Sequence, residues 1–397
     1  MQSGISAQVI DRAWQDLVRL ADGVGPRVAG SAAEREAAAL IAAAFAARGL
    51  GVREQPFRWV GWEPLAAPRV EVRDGSGNWR SLRTAAMAFT DTTPSGGIRG
   101  PLAAAGVCEL VPGLLEWPRY SVVQEGQPPA YIAVVPEGRA RPFPRPERQL
   151  LLEPIAIVGA DEFAPIAARL AAGEAIEAVV ETNGRYMPGQ ASVNVIAELP
   201  GALPEVIVVA AHYDTVAGTP GAGDNASGVA GCLALAEHYA NQPLTRTLRF
   251  IAWGAHEFGL LGSQSYVQDL AQRAILHPIV AMLALDILSD GDRLGIWAGG
   301  DIFAGEVATL AEEMSTEFPV ERFPRGRGET DSWSFAERGI DTAMFLTLPY
   351  AHFHLPEDSV ENTNRELFGF SVQAVHRLIE QLLARPVRDD QKWRNGE

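Results

Sequence analysis

The sequence predicts an α/β protein of three layers, with a mostly parallel mixed sheet between two layers of helices and a β-rich unit inserted into the chain. From residue 192 onward, short apolar segments alternate with segments of helical periodicity, which is typical of a parallel sheet covered on both faces. Between residues 62 and 183, short apolar runs are instead broken by Pro, Gly and Arg. We therefore expect an α/β domain from residues 1–61 and 184–397, and an inserted domain from residues 62–183.

The individual elements follow from local signals. Residues 6–21 and 31–48 have the pattern of amphipathic helices, and the second has Ser31 as N-cap, Glu34 three residues later and Gly49 just past its end. A strand is expected at 52–57, and the last part of the insert, residues 155–183, predicts a strand, a helix and a strand. Further strands are expected at 192–198, 206–211, 247–253, 279–286 and 342–346, and further helices at 227–240, 260–269, 302–317, 332–338 and 366–383.

Composition limits the possible functions. The 397 residues, 47% of them hydrophobic, are enough to bury a large core. A formal net charge of −16 argues against nucleic acid or an anionic membrane as the main partner, because both require a basic surface. The first residues lack the pattern of a signal peptide and the apolar stretches are too short to span a bilayer, so the expected location is cytoplasmic. The sequence assigns no oligomeric state.

Acidic and imidazole side chains stand where apolar strands are predicted to end. Burying such groups costs free energy unless a partner compensates their charge. One such strand would mean little, and separately satisfied polar termini are the alternative explanation. Several together favour a divalent metal, and a mixture of imidazole and carboxylate suits zinc or a neighbouring metal. The residues are His212 and Asp214, Asp224, His256 and Glu257, Asp286, and the loop residues His352, His354 and Asp358.

Four motifs in order give the chain a resemblance to a known family. They are HYD at 212–214, PGAGDNASG at 220–228, GLLGS at 259–263 and HLPEDS at 354–359. The chain resembles the zinc peptidases that include bacterial leucyl aminopeptidase, plasma glutamate carboxypeptidase and, more distantly, glutaminyl cyclase. The resemblance implies that the insert is a protease-associated domain and that each chain binds two zinc ions.

The resemblance also implies a role for each ligand. Asp224 would bridge the two ions, His212 and Asp286 would complete one site, and Glu257 and His354 would complete the other. Asp214 would fix the imidazole of His212 from outside the metal site. A water between two such cations has a depressed pKa and can attack a polarised carbonyl.

The sequence departs from the family at one position. Members usually carry two consecutive glutamates, of which the first is the general base, but this chain has His256 before Glu257. Histidine starts neutral and becomes cationic when it takes a proton, which nearby metal ions disfavour. We expect a zinc-dependent metallohydrolase, like an aminopeptidase or a carboxypeptidase, that cleaves a peptide or amide bond of a small peptide or acyl-amide substrate, with His256 and Asp214 in the catalytic machinery. The sequence does not distinguish trimming of the amino end from trimming of the carboxyl end. The alternatives are a metal-binding module without peptidase activity and a related enzyme with altered acyl-transfer chemistry.

Five further residues are candidates for substrate binding. They flank the last predicted ligand or lie in the loop before it, where aromatic rings could line a pocket and arginines could meet a carboxylate. Packing and solvated loop positions are the alternative explanations. The residues are His352, Trp333, Tyr350, Arg325 and Arg327.

Overall fold

A computed structural model describes residues 4–73, 75–111, 115–143, 153–276, 278–299, 301–314, 317–324 and 330–386. Within these residues, sixteen strands form two eight-stranded sheets. Helices cover both faces of the first sheet. The predicted α/β fold class is confirmed.

The first sheet contains the predicted metal strands. Its members are β1 (Gly51–Pro64), β10 (Gly184–Leu199), β11 (Leu203–His212), β12 (Arg246–Trp253), β13 (Ile279–Leu285), β14 (Arg293–Gly299), β15 (Val320–Pro324) and β16 (Asp341–Leu348). Their order in space is β1-β10-β12-β11-β13-β16-β14-β15. The strands β12, β11, β13 and β16 are parallel neighbours, whereas β10 and β14 pair antiparallel with this central group. The carboxyl ends of the parallel strands therefore lie along one edge of the sheet.

Alternating apolar residues let the helices pack on both faces. In β11, Ile207 and Val209 lie in one core cluster, whereas Val206 and Val208 lie in the opposite one, as the period of two in a strand requires. The first cluster includes residues of α1 (Ala7–Val18), α2 (Ala32–Ala47), α4 (Gly228–Tyr239), α6 (Asp301–Met314) and α8 (Arg365–Ala384). The second includes residues of α5 (Leu261–Gln272) and α7 (Ser332–Ala336).

The second sheet is formed entirely within the inserted segment. Its strands are β2 (Arg69–Arg73), β3 (Trp79–Leu82), β4 (Thr84–Ala86), β5 (Ile98–Val111), β6 (Leu115–Val122), β7 (Ala130–Val135), β8 (Ile155–Gly159) and β9 (Glu177–Glu181), and α3 (Ala160–Ala171) connects the last two. Their order is β3-β2-β9-β5-β6-β7-β8-β4. The strand, helix and strand expected at 155–183 are thus β8, α3 and β9.

A two-stranded ribbon connects the two sheets. β1 pairs antiparallel with β10 from Gly51 opposite Glu198 to Pro64 opposite Gly184. The chain therefore leaves the first sheet and returns to it at adjacent positions, as an insertion requires. β1 continues past residue 61, and the division into two domains stays a prediction.

Two strands of the first sheet, β14 and β15, were not predicted from the sequence. β14 contains two glycines and pairs antiparallel, so it lacks the continuous apolar run of a buried parallel strand. β15 (VERFP) lies at the edge of the sheet, where polar residues and proline are tolerated because one side needs no ladder partner. None of the described helices is long and apolar enough to cross a membrane.

Candidate metal centre

Three neighbouring strands deliver candidate ligands to one edge of the first sheet. His212 is the last residue of β11, Asp286 directly follows β13, and Glu257 lies in the turn after β12. His212 is 1% exposed and Glu257 is 5% exposed. Because these strands are parallel neighbours, groups that are 29 to 74 residues apart in sequence are brought to the same edge.

Asp224 lies between two groups of ligands. Its Oδ1 is 3.0 Å from His212 Nε2, and its Oδ2 is 3.5 Å from His354 Nε2. On the first side, His212 Nε2 is also 3.5 Å from Asp286 Oδ1. On the second side, His354 Nε2 is 3.2 Å from Glu257 Oε2. One carboxylate therefore faces a His–Asp pair with one oxygen and a His–Glu pair with the other.

The donors in this cluster fit a divalent metal. Among the described residues, His212 Nε2 and Glu257 Oε1 are buried atoms without a hydrogen-bond partner, and buried polar atoms rarely stay unsatisfied. Ligand atoms of His212, Asp224 and Glu257 lie within 4.8 Å of one another. A cation coordinated by nitrogen and carboxylate oxygen would satisfy these atoms.

Backbone strain occurs beside the candidate ligands. Ala255, Ile287 and His354 have φ of 51°, 49° and 59°, in the left-handed region that residues with a Cβ rarely adopt. Ala255 precedes His256 and Ile287 follows Asp286. Such conformations persist only where surrounding contacts hold them, and they are concentrated at functional sites.

Asp214 holds the turn after β12 rather than the ring of His212. Its Oδ1 accepts the backbone N–H of His256 at 3.0 Å, and its Oδ2 accepts that of Glu257 at 3.1 Å. The Nδ1 of His212 lies 3.2 Å from the backbone carbonyl of Asp214 but 3.7 Å from its carboxylate. The backbone carbonyl of Asp214 is thus the closer acceptor for Nδ1 of His212, while its carboxylate also accepts the two N–H groups of the turn.

Asp358 holds the turn that carries Asp224. Its Oδ1 accepts from the N–H of Gly223 at 2.6 Å and its Oδ2 from the N–H of Asp224 at 3.0 Å. Burial and the nearby charge of Asp224 raise the pKa of Asp358 to about 7. The loop that contains Asp358 thus fixes the backbone of the candidate ligand Asp224.

His256 forms a pair with a residue that sequence reasoning missed. Its Nδ1 lies 2.8 Å from Oδ2 of Asp331, and the carboxylate is almost fully buried. Burial and the neighbouring His212 lower the pKa of His256, but the charges of Asp331 and Asp286 outweigh them and raise it to about 9 in the metal-free protein. Correspondingly, burial raises the pKa of Asp331, but His256 brings it below its usual value.

The ring of His256 lies flat against the ring of His212. The ring centroids are 3.7 Å apart and the planes differ by 7°. A ligand atom of His256 also lies within 4.8 Å of those of His212 and Asp286. Lone pairs in two parallel ring planes do not converge on one ion, so this arrangement does not suit ligation of the same metal by both rings. His256 is instead placed beside the candidate ligand His212, with Asp331 at its Nδ1.

Buried charges around the cluster shift several pKa values. Burial disfavours the imidazolium form of His212, but the close carboxylates of Asp214, Asp224 and Asp286 raise its pKa well above the usual value. Burial disfavours ionised Asp224, but the His212 and His354 rings lower its pKa. The metal-free protein therefore favours protonated His212 and His354 beside ionised Asp224, and a metal must displace protons to bind.

A buried arginine supports the same edge of the sheet. Arg27 is fully buried and donates hydrogen bonds to the backbone carbonyls of Leu20, Gly25, Tyr213, Pro220 and Gly221. Burial lowers the pKa of Arg27 to about 10, and nearby carboxylates oppose that shift. It ties the chain after β11 to the turn before α4. The sequence signal for it is one arginine within an otherwise apolar and Gly-rich stretch, GVGPRVAGS.

The other predicted substrate residues are dispersed. His352 lies beside Asp290, with Nδ1 3.4 Å from Oδ1, and is not part of either ligand group in the described chain. Tyr350 is 40% exposed and contacts Phe353. Trp333 is partly buried in α7. Arg325 and Arg327 lie outside the described residues.

An apolar cavity opens beside Glu257. Its volume is about 330 Å³, and both sheets contribute to its walls. The first unit supplies Val28, Val216 and Phe258, and the inserted segment supplies Phe143. None of the predicted substrate residues that are described lines this cavity.

Comparison with known proteins indicates a peptidase family. Residues 194–379 match the sequence model of Peptidase family M28. The predicted resemblance to a peptidase family is confirmed. Aminopeptidase YwaD of Bacillus subtilis (strain 168) is 26% identical over 398 residues, which cover 89% of this chain and 80% of that protein. Leucine aminopeptidase 2 of Trichophyton rubrum is 33% identical over 165 residues, 39% of this chain but only 33% of that protein.

The fold also matches solved structures. BSAP, a zinc aminopeptidase from Bacillus subtilis, superposes with a TM-score of 0.66 at 23% identity, covering 94% of this chain and 95% of that chain. The match extends over both units of the chain and supports the fold alone. The family match covers the segment that contains all five candidate ligands.

Proposed function

We propose that this chain is a metal-dependent aminopeptidase that holds two zinc ions in the cluster around Asp224. The observation that supports the proposal most strongly is the position of Asp224, which faces one ligand pair with each of its two oxygens. The first ion would be held by His212, Asp224 and Asp286, and the second by Asp224, Glu257 and His354. Zinc is the metal named for BSAP, and aminopeptidase is the activity named for YwaD.

Zinc, when bound here, supplies a Lewis acid for the scissile carbonyl and lowers the pKa of a water. The protein must then move a proton from that water to the leaving amine. We assign this role to Nε2 of His256, because Nδ1 is already engaged by Asp331. This arrangement follows the logic of other His–Asp pairs, in which the carboxylate sets the tautomer and stabilises the imidazolium.

Asp331 removes the electrostatic handicap expected for a lone histidine. A glutamate changes from −1 to neutral when it takes a proton, whereas an isolated histidine changes from neutral to +1. The pair of His256 and Asp331 changes from −1 to neutral, as a glutamate does. The pair therefore offers the metal centre the same change of charge as the residue that it replaces.

The cavity beside Glu257 suggests the substrate class. Its walls are mainly aliphatic and aromatic, so we infer that it takes an apolar side chain of the substrate. A peptide with an apolar amino-terminal residue would place that side chain in the cavity and its first peptide bond at the metal centre. Leucyl and phenylalanyl anilides are suitable probes.

Metal content tests the proposal before activity does. Zinc-loaded protein should retain about two ions per chain after dialysis, since each position offers three protein ligands and leaves room for water. Asp224→Ala should lose both ions, whereas His354→Ala should lose one. His352→Ala is the matched control, because His352 is two residues away but lies beside Asp290. Native protein that retains no zinc would refute the proposed centre.

Activity then separates the enzyme from a binding module. The zinc-loaded protein should release the amino-terminal residue from leucyl peptides and should not cleave the same peptides with an acetylated amino terminus. Mass spectrometry of the products identifies which end is trimmed. Stable binding of two ions without cleavage of any peptide in a mixed library would favour the binding-module alternative.

A further inference from the structure

A hydrogen bond joins the inserted segment to one of the candidate metal ligands. Nδ1 of His354 lies 2.7 Å from the backbone carbonyl of Pro142. A carbonyl can only accept, so Nδ1 must carry the proton and Nε2 is the nitrogen that faces Asp224 and Glu257. Histidines that bind metals commonly donate their other N–H to such an acceptor, which fixes the tautomer and the ring orientation.

Contacts from the neighbouring residues hold this carbonyl in place. Arg139 forms an ion pair with Glu357, with 2.6 Å between Nη2 and Oε1. The ring centroids of Phe143 and His354 are 5.7 Å apart. The backbone carbonyl of Phe143 accepts a hydrogen bond from the N–H of Ala88 at 3.2 Å. The segment is therefore tied to the second sheet on one side and to the loop of His354 on the other.

The local sequence restricts the backbone at the acceptor. Proline fixes φ at position 142, and residues 141 and 143 both precede a proline, which disfavours the helical region. The carbonyl of Pro142 is thus presented with few alternative conformations. His354 itself has a φ of 59°, a conformation that needs such external support.

We propose that residues 139–143 of the insert are a positioning element for His354, so that retention of the second metal ion by the α/β unit depends on the inserted unit. This inference rests on the proposed function, because it takes His354 as a ligand. It goes further by giving the insert a role in the metal centre itself. The same segment contributes Phe143 to the cavity, so the insert contacts both the metal ligand and the proposed substrate site.

The variant Pro142→Gly with Phe143→Ala tests the proposal. It keeps the carbonyl but frees its backbone and removes the ring that packs against His354. Pro128→Gly is the matched control, since Pro128 lies in an exposed loop of the same unit. Zinc affinity is measured by competition with a chromophoric chelator. We expect the affinity for the more weakly bound zinc ion to be roughly ten-fold lower in the double variant than in the native protein. This is the lower end of the effect typical for loss of a hydrogen-bond partner of a metal ligand.

A second measurement is independent of zinc. In the metal-free native protein, ¹⁵N NMR should show a His354 Nδ1 proton in slow exchange with water, assigned by its absence in His354→Gln. The exchange of this proton with water should be faster in the double variant, and its rate in Pro128→Gly should equal that of the native protein. Circular dichroism establishes that each variant is folded.

Two results would overturn the proposal. One is a native His354 ring without a protected Nδ1 proton. The other is a folded double variant whose zinc affinity equals that of Pro128→Gly. Native protein that binds no zinc would instead refute the proposed function, and the NMR result on metal-free protein would still decide whether the insert positions His354.

Discussion

Replacing Asp331 with asparagine tests the proposed proton path. The side chain keeps its size, and its amide oxygen can still accept from Nδ1–H of His256, so the shape of the site is preserved. The substitution removes the negative charge that stabilises the imidazolium. It also allows the amide to donate to Nδ1 instead, which would place the proton of His256 on Nε2 and leave that nitrogen unable to accept one.

The size of the effect follows from the geometry. The two charged atoms are 2.8 Å apart, and two unit charges at this separation with an effective dielectric of about 20 interact by about 6 kcal/mol. Desolvation of a buried pair offsets part of this. A residual of roughly 3–4 kcal/mol corresponds to a fall in kcat of about 10²–10³-fold.

The assay is steady-state hydrolysis of leucyl anilide by zinc-loaded protein across a range of pH. Asp331→Asn should lower kcat with little change in KM and with unchanged zinc content at high pH. The pKa of His256 in metal-free protein, followed by NMR, should fall from about 9, because burial and His212 then act without opposition from Asp331. Asp290→Asn is the matched control, since it removes a carboxylate beside His352. An Asp331→Asn protein with native kcat and native zinc content would refute the proton path.

Four further changes have defined outcomes. His256→Glu should lower kcat, because it places a second carboxylate beside Asp331. Adding Asp331→Asn should restore part of the lost activity, as a comparison of kcat between the single and double variants would measure. Asp214→Asn should weaken zinc binding roughly 10–100-fold, because one amide oxygen cannot accept both N–H groups of the turn after β12, as chelator competition would measure. Arg27→Met should destabilise the metal-free protein by about 3 kcal/mol in urea unfolding, because it leaves five backbone carbonyls without their donor, three of them in buried hydrogen bonds. Burial raises the pKa of Glu34 from 4.5 to about 7, so the folded protein binds a proton that the unfolded chain releases. Protonated Glu34 contributes about 3 kcal/mol to the free energy of unfolding; this contribution is fully present below pH 4.5 and is lost as pH rises through about 7. Glu34→Gln should therefore flatten the pH dependence of the free energy of unfolding over this range.

The sequence predicted the fold because its signals are local. Apolar runs of strand length alternate with helical periodicity after residue 192, and the ends of those runs identify His212, Glu257 and Asp286. Parallel pairing then places these residues at one edge without any knowledge of side-chain contacts. The order of the motifs adds Asp224 and His354, which lie in turns that no periodicity describes.

The contacts that support the ligands could not be predicted in this way. Asp331 precedes the short helix α7, where an aspartate usually acts as an N-cap. Its side chain makes no capping hydrogen bond and bonds instead to His256, 75 residues earlier in the chain. The partner of His354 is a backbone carbonyl, which has no signature in the identity of a residue. Both contacts depend on how loops from separate elements meet.

The stacking of His256 on His212 gives Asp331 a second role. A cationic His256 ring 3.7 Å from a metal ligand would withdraw electron density from that ligand and repel the metal. A glutamate at position 256 would create no such charge, so the replacement by histidine is tolerable only if a carboxylate neutralises the imidazolium. Asp331 is buried and lies at hydrogen-bond distance from Nδ1 of His256, where it can neutralise the imidazolium. We therefore propose that His256 and Asp331 act as one unit, in which case histidine at position 256 is not by itself an argument for lost activity.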